Sequence, residues 1–409
     1  MPTITDTLKP LLERLPPWLS TALGQPAKKS SLATLPWQEN KIVLLAVGLT
    51  VFVWAFQQYF NWRQHRRLLQ KQMPSKVRQL VSEEAFEKAR LYSLDKSYLS
   101  FATSLLTAFD VSFLIFAVHK RVWQVSTHLA STWLKGSTEI RVSAVYLVLW
   151  MLWGHLIGIP VSLYSTFVLE RKHGFNRQTA AVFWSDQVKG LLLGILFTLP
   201  AVSALIWIVG RFGEAFYLAA WVFALCMQMF LMLIFPTFIQ PLFNKFDPLP
   251  AGSLHDKIEA LARRLRFPLS KVFVMDGSKR SSHSNAYFFG FFTKRIVLFD
   301  TLIAQSSEDE ICAVLAHELG HWKCWHTLQN FFLAQVQLFT LFYGYSRFCQ
   351  QRQIFEAFGF EGKAVPLVVG FMLVPMEWNG LFYFTFIFLF ISLFLFLFVL
   401  LLNLSSESS

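Results

Sequence analysis

Charged side chains are scarce in this chain. Asp, Glu, Lys and Arg make up 15% of its 409 residues, whereas a soluble globular domain carries about 25%. A hydrophobic content of 54% and a mean hydropathy of +0.44 accompany this scarcity. Together they exclude a protein that buries its apolar side chains in one soluble core, and they predict an integral membrane protein.

Cysteine is scarce as well, and a cleavable signal peptide is missing. The four cysteines, Cys226, Cys312, Cys324 and Cys349, show no C-x-x-C spacing, which argues against a disulfide framework and against a thiolate zinc site. The first 40 residues contain several prolines and no apolar run ahead of a small-residue cleavage site. The first membrane span is therefore predicted to act as an uncleaved anchor.

Apolar segments long enough to cross a bilayer recur along the chain. A span needs roughly 20 mostly apolar residues, because only a helix satisfies its own backbone hydrogen bonds in hydrocarbon. Six segments are predicted as spans, and a seventh starts near Ala364. The six segments are residues 42–60, 99–118, 142–168, 191–209, 216–240 and 330–345.

The net charge of +12 could indicate a nucleic-acid-binding protein, but the basic residues are concentrated in particular loops between the spans. The loop after the first span is rich in Lys and Arg, whereas the loop after the fourth has only Arg211. By the positive-inside rule the odd-numbered loops are cytosolic, although basic residues in the second loop weaken the contrast. Membrane lipids are expected partners, and nucleic acid is not.

Residues 243–329 form the longest region without a predicted span, and they alternate helical and strand-like patterns as a small domain would. Residues 257–266 predict an amphipathic helix that ends before Pro268. Short β-branched or aromatic runs at 271–275 and 295–299 predict strands, with a third strand-like run at 286–293 between them.

A metal-binding motif lies at the end of this region. Ser307 and Glu310 form a capping box, which predicts that a helix begins near Glu308. His317 and His321 of the H-E-L-G-H sequence are four residues apart, so both imidazoles lie on one helix face and can bind zinc. Glu318 can then act as the general base. The alternatives are a chance match and histidines that only pair with polar groups of the core.

Two neighbouring features bear on the motif. Cys324 and His326 are possible additional metal ligands by residue type. They lie three and five residues beyond His321, however, and this spacing favours solvent or backbone partners for them. A peptidase must also hold its substrate extended, and residues 284–287 are the candidate edge strand for this. The alternative for these residues is an ordinary hairpin strand.

The sequence resembles the CAAX prenyl protease 1 family, the multi-spanning zinc endopeptidases of the endoplasmic reticulum. The resemblance covers roughly residues 40–374. It is carried by the blocks E-A-F-E-K-A-R-L-Y at 84–92, E-R-K-H-G-F-N at 170–176, G-S-K-R through N-A-Y at 277–287, the segment 317–326, and residues 355–360.

The resemblance implies a mainly α, polytopic membrane protein of the endoplasmic reticulum. About seven transmembrane helices form a water-filled chamber, a small zincin-like α/β domain carries the H-E-x-x-H helix, and the C-terminal side is cytosolic. The substrates would be prenylated C-a-a-X proteins or peptides, which lose their last three residues. His317 and His321 would bind one zinc ion per chain, Glu318 would be the general base, and Asn285 and Ala286 would lie on the substrate-binding strand.

Domain boundaries follow from the spans and the motif. The predicted segments are an N-terminal segment (1–40), spans one to five with their loops (41–242), a zincin-like metalloprotease domain (243–329), span six with the start of span seven (330–375), and an atypical apolar tail (376–409).

The C-terminal end departs from the family. The E-x-x-A-D helix that supplies a third zinc ligand is absent, as is the family's H-P-P motif, and the glutamates after His321 are Glu356, Glu361, Glu377 and Glu407. From Val374 the sequence becomes a low-complexity apolar run. One hypothesis is translation of an unspliced intron or a frameshift, and the alternative is a divergent terminus with a transmembrane helix.

Loss of one ligand predicts weak zinc binding and greatly reduced peptidase activity for this chain. The alternative function is a non-catalytic membrane relative that binds prenylated or hydrophobic polypeptides without cleaving them. A transporter is less favoured, because it would place paired ionisable residues within spans, whereas only isolated ones such as Asp110 and His155 are present.

Overall fold

The structure is a computed structural model, and it describes residues 41–370 except 114–117, 291–293, 350, 352–354, 357–359 and 361–366. The chain divides into two compact units. The first comprises Met1–Glu83, Ser97–Leu149 and Tyr343–Ser409, and the second comprises Glu84–Lys96 and Trp150–Phe342.

The first half of the described chain is helical. Its helices are α1 (Lys41–Leu68), α2 (Glu83–Phe113), α3 (His119–Trp133), α4 (Glu139–Leu163), α5 (Ala180–Phe212) and α6 (Phe216–Ile234). Two helices continue as π-helical turns, α4 over Tyr164–Glu170 and α6 over Phe235–Ile239. Pro160 lies within α4, and Pro236 lies within the π-helical turn that follows α6. Each proline lacks an amide hydrogen and therefore removes one backbone hydrogen bond from its helix.

Two helical stretches of the described chain, Glu139–Glu170 and Ala180–Leu242, are long and apolar enough to cross a membrane. The second has 63 residues, which at 1.5 Å per residue is about three bilayer thicknesses. It turns at Gly213, whose φ of 55° ends α5. The stretch is therefore two helices, α5 and α6, which pack against each other.

The helices cover most of the predicted spans. Spans 142–168, 191–209 and 216–240 lie within the two apolar stretches. Helix α1 covers span 42–60, and α2 covers residues 99–113 of the second. Residues 114–117 and the predicted start of the seventh span at Ala364 lie outside the described residues, so the count of seven stays a prediction.

A four-stranded sheet with its helices follows in the second unit, and the last of these helices ends in the first unit. The elements are β1 (Phe246–Pro248), α7 (Ser253–Leu265), β2 (Leu269–Met275), β3 (Ala286–Phe289), β4 (Lys294–Phe299), α8 (Asp300–Gln305), α9 (Glu308–Lys323) and α10 (His326–Phe348). The strand order is β1-β2-β4-β3. The β2–β4 pair is parallel and the β3–β4 pair is antiparallel, which places β3 at one edge. The predicted helix and the strands at 271–275 and 295–299 are confirmed.

Helix α9 packs on this sheet through a stripe of one residue per turn. Ile311, Leu315 and Leu319 are buried with Ile296 and Leu298 of β4 in one hydrophobic cluster. A spacing of four residues keeps this stripe on one side of the helix. The opposite side, which carries the histidines, is left exposed.

The start of α9 is held by side chains. Ser307 Oγ accepts a hydrogen bond from the Glu310 N–H at 3.4 Å, and the Ser307 N–H donates to Glu310 Oε2 at 2.8 Å. This confirms the predicted capping box and the predicted first helical residue, Glu308. Lys257 of α7 pairs with Asp309 at 2.7 Å and so joins the two helices.

Replacing the cap should weaken this helix. Ser307→Ala removes the acceptor of an otherwise unpaired N–H, so the free energy of unfolding is expected to fall by about 1 kcal/mol. Thermal unfolding of the detergent-solubilised protein measures this, with Ser306→Ala as the matched control. Equal melting temperatures for the two variants would contradict the prediction.

Candidate metal centre

The two histidines of α9 converge on one point. His317 Nε2 and His321 Nε2 are 3.2 Å apart, and the two rings are nearly perpendicular, at 86°. Two nitrogens bound to a tetrahedral zinc ion, each at about 2.0–2.1 Å, stand about 3.3 Å apart. The pair therefore fits zinc, and its position on the exposed side of α9 leaves room for an ion and a substrate.

Glu318 lies between the two histidines in sequence and is half-buried. It follows His317 directly and precedes the buried Leu319. A carboxylate in this position can accept a proton from a water molecule beside the histidine pair. The arrangement of two imidazoles and one carboxylate is suited to hydrolysis.

His326 differs from its predicted environment. Its Nδ1 lies 2.7 Å from Nδ1 of His321, with 61° between the two rings. The exposed His326 therefore has a side-chain partner, His321, in addition to the solvent or backbone partners that the spacing predicted. Helix α9 ends at Lys323, and a turn at Cys324 and Trp325 brings His326 back beside the motif.

The turn between α9 and α10 contains a strained residue. Trp325 has a φ of 60° and is 67% exposed. A bulky residue in the left-handed region is uncommon, since its Cβ crowds its own backbone. The strain persists because the turn is bonded on both sides, with the Trp325 N–H donating to Trp322 O and the Gln329 N–H donating to Trp325 O, each at 3.0 Å.

Glycine should relieve that strain. Trp325→Gly is expected to raise the free energy of unfolding by about 1 kcal/mol, because the left-handed backbone costs glycine little and the exposed indole contributes little packing. Lys323→Gly, in the helical region two residues earlier, should lower it by about 1 kcal/mol. Chemical or thermal unfolding of both variants measures this, and a destabilised Trp325→Gly would contradict the prediction.

The histidine pair could supply two metal ligands. Within the described ranges, no group of three or more His, Cys, Asp or Glu residues is placed to hold a metal ion. Of the candidate third ligands, Glu361, Glu377 and Glu407 lie outside the described residues. Glu356 is exposed in the first unit.

Of the predicted edge at residues 284–287, only 286 and 287 lie in the edge strand β3, which also contacts α9. The Asn285 carbonyl accepts from the Phe299 N–H at 3.1 Å, so by alternation the backbone groups of Ala286 point away from β4. The Ala286 N–H donates to Asn285 Oδ1 at 2.8 Å. Ala286 as a whole residue is 3% exposed and belongs to the core.

Three of the sequence blocks meet within the second unit. Tyr92 donates to Glu170 Oε1 at 2.6 Å, and His283 Nε2 lies 3.2 Å from Glu170 Oε2. The His283 ring stacks on Phe175, with 4.3 Å between centroids. Burial, followed by the Glu170 carboxylate, raises the pKa of Tyr92. These blocks lie far apart in the sequence, which did not predict their contact.

A second link holds the segment that leads into β3. Arg280 donates to both carboxylate oxygens of Asp186 on α5, at 2.7 and 2.9 Å, and to the Phe243 carbonyl at 2.8 Å. The Arg177 N–H donates to the Arg280 carbonyl at 3.0 Å. The approach to the edge strand is thus tied to a long apolar helix by a bidentate ion pair.

Breaking the Arg280–Asp186 ion pair should lower the free energy of unfolding by more than breaking an exposed ion pair does. Asp186→Ala leaves a guanidinium that is 23% exposed without its carboxylate, so the free energy of unfolding is expected to fall by about 2 kcal/mol. Asp247→Ala removes the partner of Lys245 in a pair of exposed side chains, with an expected loss below about 1 kcal/mol. Unfolding in the same detergent compares them, and losses of equal size would contradict the argument.

Comparison with known proteins gives two family matches. Residues 64–245 match a model described as the CAAX prenyl protease N-terminal region with five membrane helices, and residues 248–407 match peptidase family M48. The second match runs through the apolar tail, contrary to the expectation that the family pattern stops near Val374. The origin of the tail stays a prediction.

Individual relatives agree with these matches. The chain is 46% identical over 327 residues to the CAAX prenyl protease 1 homolog of Oryza sativa subsp. japonica, covering 79% of this chain and 76% of that protein. It is 36% identical over 395 residues to the Homo sapiens homolog, covering 86% and 82%. The crystal structure of S. mikatae Ste24p superposes with a TM-score of 0.77 at 34% identity, covering 84% of this chain and 82% of that one.

Proposed function

The chain belongs to the CAAX prenyl protease family of M48 peptidases, and we propose that it is a zinc metalloendopeptidase acting on prenylated proteins that end in a C-a-a-X sequence. It removes the last three residues from them. The observation that carries the proposal is the 3.2 Å separation of His317 Nε2 and His321 Nε2. Relatives from a plant, an animal and a yeast named as CAAX prenyl proteases support it.

His317 and His321 would hold one zinc ion per chain, and a glutamate is expected as the third protein ligand. When bound, zinc supplies Lewis-acid chemistry at the scissile carbonyl and at the attacking water. Glu318 takes one proton from that water, whose oxygen forms the new bond to the carbonyl carbon. The same carboxyl group then delivers the proton to the departing amine nitrogen as the peptide bond breaks.

The edge strand β3 would align the substrate. An extended peptide would pair with the outward backbone groups of Ala286 and Phe288 once the Asn285 side chain releases the Ala286 N–H, since alternate residues of an antiparallel strand face away from β4. Contact between β3 and α9 keeps this edge near the histidine pair. Asn285, which directly precedes β3, and Ala286, the first residue of β3, are the proposed substrate-binding residues.

The membrane segments would surround the site. We place the protein in the endoplasmic reticulum membrane with about seven spans, a zinc site facing an intramembrane chamber, and a cytosolic C-terminal side. Membrane lipids contact the exposed apolar faces of α5 and α6, whose outward side chains include Leu196, Trp207 and Phe230. Support comes from the membership of a family with a membrane-helix domain and from the two apolar stretches.

The experiment compares the purified wild type with Glu318→Gln. Cleavage of a farnesylated C-a-a-X peptide is expected for the wild type and should fall at least about 100-fold in Glu318→Gln, which cannot accept the proton. Zinc content should be equal in both, because Glu318 is not a ligand. Glu259→Gln, an exposed glutamate on α7, is the matched control and should leave cleavage unchanged.

Two outcomes would overturn the proposal. Equal cleavage by Glu318→Gln would remove this carboxylate from the mechanism. Retention of a farnesylated peptide with no cleavage by the wild type would instead support a non-catalytic membrane protein that binds prenylated chains.

A further inference from the structure

His326 is the nearest described polar partner of a proposed metal ligand, and sequence spacing did not predict it. The Nε2 atom of His321 faces His317, and its Nδ1 atom faces His326 Nδ1 at 2.7 Å. We propose that His326 is a positioning residue, which accepts a hydrogen bond from His321 Nδ1–H and so holds His321 with Nε2 presented to the metal. The inference rests on the proposed function, because it requires a metal at the histidine pair.

The proton count gives this contact its direction. A neutral imidazole has one N–H, so a His321 ring that binds a metal through Nε2 must carry its hydrogen on Nδ1. A nitrogen pair at 2.7 Å needs one hydrogen between its members. His326 Nδ1 must then be the lone-pair partner, and the remaining hydrogen of His326 is on its Nε2.

The ring geometry agrees with a hydrogen bond. The His321 and His326 centroids are 5.0 Å apart and the planes are inclined at 61°, which is not a stacked arrangement. The two rings approach each other through their Nδ1 atoms. Ligand histidines commonly donate their second N–H to a carboxylate, carbonyl or water, and here the acceptor is a second imidazole.

The strained turn explains how a residue five positions away reaches the ligand. The left-handed Trp325 reverses the chain after α9, and Gln329 Nε2 donates to the Cys324 carbonyl at 3.2 Å. These bonds hold the first turn of α10 against the last turn of α9. Backbone strain is found where the surrounding structure over-determines a conformation, often at functional sites, and this turn places His326 against His321.

The test measures zinc affinity by chelator competition on the full chain. His326→Leu and His326→Ala both remove the acceptor, and each is expected to weaken zinc binding by about 10–100-fold. His326→Asn should restore affinity to within about threefold of wild type, because its amide oxygen can occupy the position of Nδ1. His255→Leu, a partly exposed histidine on α7, is the matched control and should bind zinc as wild type does.

A spectroscopic readout separates positioning from general stability. The visible spectrum of the Co²⁺-loaded protein reports the ligand field, so it should change in His326→Leu and match wild type in His326→Asn. Equal zinc affinity in wild type, His326→Leu and His326→Ala would overturn the inference, as would Asn, Leu and Ala variants that are equally weak. If the wild type does not bind zinc, the metal assignment itself is wrong. If all three variants bind zinc and cleave the peptide as the wild type does, only the role of His326 is refuted.

Discussion

Ile311, Leu315 and Leu319 are buried under the sheet, and this contact sets the rotation of α9 about its own axis. With the stripe held, His317 and His321 can point only to the open side of the helix. Their 3.2 Å separation depends on the helix remaining regular over one turn. The chemistry of the site therefore depends on apolar packing that contains no reactive group.

The sheet edge is held by a different kind of interaction. Polar contacts join the segment before β3 to Glu170 and to Asp186. A strand at an edge has one neighbour in the sheet and is more easily displaced than a central one. The Arg280 ion pair ties the approach of β3 to α5, so the edge strand is anchored to an apolar helix at this point.

Local signals in the sequence were sufficient for α9. Ser307 and Glu310 are three positions apart, and the cap they form depends on little else. His326 was missed because its contact depends on the left-handed backbone of Trp325, and tryptophan gives no sign of that conformation. The link between Tyr92 and Glu170 spans 78 positions, which makes it a product of tertiary packing that no periodicity reports. The third zinc ligand could not be assigned, since three of its four candidates fall outside the described residues.

The side chain of Asn285 also affects how readily β3 can pair with a strand of another protein molecule. An exposed edge strand attracts any extended chain, including another copy of the same protein. The first outward N–H of β3, that of Ala286, is already bonded to Asn285 Oδ1. An incoming strand must either displace the Asn285 amide or pair without this hydrogen bond. In both cases the free energy of strand pairing is less favourable. The Asn285 side chain therefore makes this part of the strand edge a weaker template for pairing with a second copy of the protein than an edge with a free N–H would be.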